Sequence, residues 1–223
     1  MEKSVKKTSV FMGLAVVMIF MQFGCESKSV SQTGFLTTYS KLQKESDVSF
    51  INMDRQQLTQ YSYFIVDDVR AYFPPQSKAI EERTAGVLTQ AQIDELTNHM
   101  YSEIVKAVRG AGYAVVPAPG EDVARISVAL TDVEGLNIRR LLPVSRMTGA
   151  GIGAAAMEAE IVDSMTNQQL AAIVELQEGS KFPLVNVEKW DAAKQVISDW
   201  AKKFEMRLDA VHRMKVKQHQ ARL

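Results

Sequence analysis

The chain has 223 residues, with 26 Lys and Arg against 26 Asp and Glu, 46% hydrophobic residues and a single cysteine. These proportions exclude a disordered chain, a multi-span membrane protein and a collagen-like repeat. Zero net charge gives no electrostatic ground for wholesale nucleic-acid binding, and one cysteine makes neither an internal disulfide nor a Cys-rich zinc site.

Lys3, Lys6 and Lys7 precede the apolar run VFMGLAVVMIFM at residues 10–21. A basic start, a short apolar core and a small residue before the break are the layout of a secretory signal peptide over residues 1–24. Twelve residues rise about 18 Å as a helix, well short of a hydrocarbon core of roughly 30 Å.

Cys25 follows Gly24 directly, and the stretch resembles the lipobox of bacterial lipoproteins, with Gln22 and Phe23 where the box usually has Leu and a small residue. That resemblance implies cleavage before Cys25 and acylation of the cysteine, which anchors the chain to a bilayer surface. Glu26 and Ser27, rather than Asp, favour the outer membrane. Cleavage leaves 23 basic and 25 acidic residues, a slightly acidic mature chain.

Residues 25–46 are polar and read as a tether, whose apolar cluster Gly34-Phe35-Leu36 with Tyr39 and Leu42 begins to touch the folded body. Residues 47–223 read as one domain by size. The run YSYFIVDDVRAYF at residues 61–73, closed by Pro74-Pro75, predicts a half-buried strand. Thr89 and Gln92 have capping-box spacing, and Ile93, Leu96, Met100, Ile104 and Val108 predict an amphipathic helix of about 20 residues, ended by Gly110-Ala111-Gly112. A short strand follows at residues 113–116. Residues 125–134 alternate, with Ile126, Val128 and Leu130 on one face. Residues 155–163 and 170–177 predict an antiparallel hairpin whose polar face carries Glu158 and Glu160 toward solvent. Trp190, Ala193, Ile197, Trp200, Phe204, Leu208 and Val211 predict a long last helix beginning near Asn186. The expected fold is an α+β two-layer sandwich: a mostly antiparallel sheet of about five strands with two helices on one face.

The ordered set of Gly34-Phe35-Leu36, the strand Phe64-Ile65-Val66-Asp67, the segment ALTDVE at residues 129–134, EAEIVDS at residues 158–164 and the Trp190 to Trp200 spacing resembles the bacterial lipoproteins of domain of unknown function 3313. The resemblance implies location and fold, and supplies no catalytic residue.

Chemistry-bearing patterns are sparse. Gly149, Gly151 and Gly153 lead into a strand and lack phosphate-loop spacing, so nucleotide binding is not expected. Glu95, His99 and Glu103 share a helix face, but no second cluster completes a ligand set, so neither metal nor cofactor is expected. Asp67, Asp68, Asp132, Glu134, Glu158, Glu160 and Asp163 read as strand-end and solvent-facing carboxylates rather than a catalytic pair. His212 and His219 lie in a basic tail, favourable charge for a helix C-terminus. Residues 136–153 form a long apolar and basic connection, with Arg139, Arg140 and Arg146 around Leu141, Leu142 and Val144, and this is the candidate partner- or membrane-touching loop. The expected function is that of a non-enzymatic, lipid-anchored envelope module with Cys25 as the lipid attachment. It meets the membrane and either an envelope protein or a second copy, and binds no nucleic acid. An envelope-acting hydrolase and an oligomeric transport accessory are the alternatives.

Overall fold

A computed structural model describes residues 32–135, 154–178 and 190–221. The elements in chain order are β1 (Gln43–Ser46), β2 (Ser49–Met53), the single turn α1 (Arg55–Leu58), β3 (Tyr63–Val66), β4 (Arg70–Ala71), α2 (Lys78–Thr84), α3 (Gln90–Gly110), β5 (Ala114–Val115), β6 (Val123–Glu134), β7 (Ala154–Asp163), β8 (Gln169–Glu178) and α4 (Asp191–Gln220). All eight strands join one sheet in the order β1-β2-β8-β7-β6-β3-β5, with β4 also pairing β6. Pairing is antiparallel from β1 through to β6 and parallel among β6, β3, β4 and β5.

The fold is therefore α+β, as expected, but the sheet is larger and mixed rather than five mostly antiparallel strands, and the described residues contain four helices rather than two. Three local causes account for the difference. The first is that QKES in β1 is exposed throughout, because it forms an edge strand and carries no alternation to read. The second lies in residues 61–73, which are not one strand. Val66 pairs with Ile126 and Arg70 with Ala129, so four steps oppose three and a bulge at Asp67–Val69 separates β3 from β4. The third is that α2 buries only Ala79 and has no apolar stripe.

The two long helices arise from the periodicity seen in the sequence. Thr89 Oγ1 accepts from the Gln92 amide while the Gln92 side chain accepts from the Thr89 amide, closing a capping box at the start of α3. Replacing Thr89 with Ala is expected to cost about 1 kcal/mol, read from the urea midpoint at unchanged slope. Ile93, Leu96, Met100, Ile104 and Val108 of α3 then meet Val196, Ile197, Trp200, Leu208 and Val211 of α4 over Ile126, Val128 and Leu130 of β6 in the main core. Each such side chain contributes about 1.5–3 kcal/mol when fully buried. β3 lies inside the sheet: Phe64 and Val66 join this core, and Phe64 stacks edge-on against Tyr113 at 5.0 Å between centroids.

A second, smaller cluster forms around Leu36, Ala172 and Val174, with Phe35, Tyr39 and Leu42 packed against it. Register places Val174 opposite Glu158 and Ala172 opposite Glu160, whereas Ile161 and Ala171 pair within the main core. Strand alternation therefore puts the second cluster on the sheet face opposite the helices. The N-terminal segment crosses that face as a strap.

Candidate functional site

Cys25 and the loop residues Arg139, Arg140, Leu141, Leu142, Val144 and Arg146 lie outside the described residues, as do the glycines at 149, 151 and 153. The remaining sequence candidates are placed, and most take part in holding the fold. On α3, Glu95 pairs with Lys194 of α4 at 2.5 Å, His99 Nε2 lies 3.3 Å from both the Lys194 carbonyl and Ser198 Oγ, and Glu103 pairs with Lys106 at 2.5 Å. These residues tie the two helices and the α3 surface. The basic tail is helical through Gln220: Lys215 Nζ donates to the Tyr61 carbonyl and Ser62 Oγ, and Arg213 pairs with Asp209. The His212 ring stands edge-on to Tyr113, 5.2 Å away, and a Cβ on Gly112, whose φ is +85°, would meet that ring at 3.3 Å. Burial, helped by the charge of Asp209, pushes the Tyr113 phenol up to about 12.

Asp67, Asp132 and Asp163 stand in three separate arrangements. At the β3–β4 bulge, Asp67 accepts from Arg125 Nη1 at 2.6 Å and Ser127 Oγ at 2.7 Å. Asp132 on β6 accepts from the Lys78 and Ala79 amides at the start of α2, yet burial holds its carboxyl above the ordinary range against those donors. Asp163 closes the β7–β8 turn. Burial acts to raise its carboxyl, but hydrogen bonds from Tyr61 Oη, from the amide and hydroxyl of Thr166 and from the Met165 amide outweigh it and leave the group below its usual value. A depressed folded-state pKa gives stability that is complete above the unfolded-state pKa and lost as pH falls through the folded one. Asp163→Asn is therefore expected to destabilise at neutral pH and to converge with the parent as pH falls below the ordinary carboxylate range, which denaturation over an acid series would show.

Glu158 and Glu160 overturn the solvent-facing reading: Glu158 is fully buried and Glu160 is 8% exposed. They are covered by the strap. Glu158 accepts from the Thr33 amide at 2.7 Å and from Tyr39 Oη, which itself accepts from the Gly34 and Leu36 amides. Glu160 accepts from the amide and hydroxyl of Thr37, both at 2.9 Å, and from Gln169 Nε2 at 2.8 Å. Burial and the neighbouring Glu158 raise the Tyr39 phenol above its usual value, keeping it a donor. Among the described residues the donors to both carboxylates are all neutral groups.

A groove lies on the other face, between the sheet and α4. Its empty space comes to about 740 Å³ with the open solvent at its mouth included. Ile51 of β2, Ile173 of β8 and Met157 and Ala159 of β7 form its floor, while Ile197, Trp200 and Phe204 of α4 form its wall, with Met100 and Ile104 of α3 at the inner end. Two helices cover the β6–β7 centre of the sheet, and the small side chains Ala159 and Ala171 leave space toward β2 and β8. The charged side chains lining it are held in hydrogen bonds. Lys203 Nζ donates to the buried Glu175 at 2.7 Å and to Gln177 at 3.0 Å, and one turn later Arg207 reaches both carboxylate oxygens of Glu45. Apolar walls with a few fixed polar groups at the mouth are what a binding groove for an apolar ligand or segment requires.

A family model described as protein of unknown function (DUF3313) matches residues 31–204. The chain belongs to this family. No curated protein sequence matches it. Among solved structures, the DUF3313 chain is similar to the PelC dodecamer from Paraburkholderia phytofirmans at 10% identity and a TM-score of 0.36, over 63% of this chain and 86% of that one. A variant PelC dodecamer from the same organism matches at 12% identity and a TM-score of 0.40, over 67% and 90%. A minor lipoprotein from Acinetobacter baumannii matches at 9% identity and a TM-score of 0.33, over 67% and 94%.

The groove and the strap of the DUF3313 domain escape a reading of the sequence for different reasons. The groove is made of residues that any core would use. The strap had a signal, since two acids at i and i+2 in an otherwise apolar strand need partners, and Gly34-Phe35-Leu36 with Tyr39 reads as the part of the tether that touches the folded body.

Proposed function

We propose that this DUF3313 protein is a lipid-anchored envelope lipoprotein, held through Cys25 at the periplasmic face of the outer membrane. There it acts as a non-enzymatic module that binds an apolar segment of an envelope partner in the groove between the sheet and α4. The groove is the observation that carries this reading: its floor and wall are apolar, and the charged groups in its lining are held in hydrogen bonds. The layout of residues 1–25 and the family match support the anchor.

Two measurements test it. Cys25→Ser should remove the acyl mass and move the chain from the membrane to the soluble fraction, and unchanged mass and fractionation would refute the anchor. A photo-crosslinking residue at Phe204, in the groove wall, should trap one discrete partner in intact cells, while the same residue at Ser102 on the outer side of α3 should not. Equal trapping at both positions, or none at Phe204, would refute the groove as the binding surface.

A further inference from the structure

The strap and the length of chain before it limit how the domain sits on a membrane. Thr33 is fixed by its amide to Glu158 in the middle of β7, and β7 is the fourth of the seven strands in the sheet order. From Cys25 to Thr33 there are eight residue steps, which span at most about 28 Å when fully extended. To bring the α3–α4 layer against the bilayer, that leash would have to pass round the domain. At the level of Glu158 the nearest sheet edge is β4, two strand spacings from β7 through β6, or about 10 Å. The depth from the strap past the sheet to the outer surface of the helices adds about 20 Å. The way round is thus roughly 30 Å, a distance that only a fully stretched leash approaches. A relaxed chain of that length spans only about 16 Å.

We infer that the sheet face under the strap is turned toward the bilayer, and that α3, α4 and the groove stand on the side turned away from it, open to a soluble or membrane-spanning protein partner. The inference rests on the lipid anchor proposed above. It assigns a task to the buried glutamates: by pinning Thr33 and Thr37 to the centre of the sheet, they shorten the leash. An attachment starting at Leu42 would add nine residue steps, about 30 Å more, and let the domain turn over.

The test uses the lipidated full-length protein in phospholipid vesicles carrying a headgroup acceptor dye. With Cys25 acylated, an added cysteine is the only free thiol, so Ser40→Cys beside the strap and Ser102→Cys on the outer side of α3 each take one donor dye at an exposed position. Energy transfer to the headgroups should be severalfold greater from residue 40 than from residue 102. An insertion of about ten Gly and Ser residues after Gln32 should abolish that difference while leaving the fold unchanged. Equal transfer from the two positions in a chain that floats with the vesicles, or a difference that survives the insertion, would overturn the orientation alone. A chain that does not float with the vesicles would overturn the anchor and the orientation together.

Discussion

Trp200→Ala should lower stability by about 3–5 kcal/mol, the range for truncating a large buried aromatic side chain. Trp200 is 3% exposed and joins two structures, the main core and the wall of the groove. In a domain whose total stability is of order 5–15 kcal/mol, such a loss is a large fraction. Its indole Nε1 is buried with no hydrogen-bond acceptor among the described residues. A buried donor left unmade costs about 1–3 kcal/mol, so Trp200→Phe removes a penalty as well as some volume. The Phe variant should stay within about 1 kcal/mol of the parent, because those two effects oppose each other. Urea denaturation of the three proteins decides the matter. An Ala variant as stable as the parent would mean that the groove wall is not part of the core.

The second large effect concerns the strap. Glu158→Ala should cost about 2–3 kcal/mol, since hydrogen bonds to a charged acceptor contribute about 1.5–3 kcal/mol each and water recovers part of the loss once the strap lifts. The Thr33 amide and Tyr39 Oη lose their shared acceptor, and the ring of Tyr39 with Phe35 and Leu36 loses its hold on Ala172 and Val174. The double variant Glu158→Ala/Glu160→Ala also frees Thr37. Hydrogen exchange then separates a local effect from a global one: amides of residues 33–39 should lose protection while those of α3 keep it. Unchanged protection of residues 33–39 would show that the glutamates do not hold the strap. Loss in α3 as well would show that the strap is part of the cooperative core.

Much of the helix layer could be read in the residues themselves. The capping box at Thr89 and Gln92 and the stripe from Ile93 to Val108 describe α3 because both depend on neighbours within four positions. β6, β7 and β8 were legible for the same reason, since alternation is local. β1 was not, because an edge strand with every residue exposed has no apolar phase. Glu158 and Glu160 were misplaced because period-two alternation assigns a side of the sheet, and says nothing of what comes from about 120 positions away to cover it. The groove was hidden for a related reason: Ala159 and Ala171 leave space only because α4 is set against one part of the sheet and not another.

The sheet order has a consequence for how the molecule is made. Thr33 meets a residue 125 positions later, and Phe50 of β2 pairs with Val174 of β8. Contacts of such sequence separation form late, after the loop-closure entropy of the intervening chain has been overcome. During synthesis β2 can pair with β1, but its other edge has no partner until β8 has left the ribosome. A polypeptide of this order remains open to threading through a translocation pore for nearly its whole length, and closes only when its last third arrives.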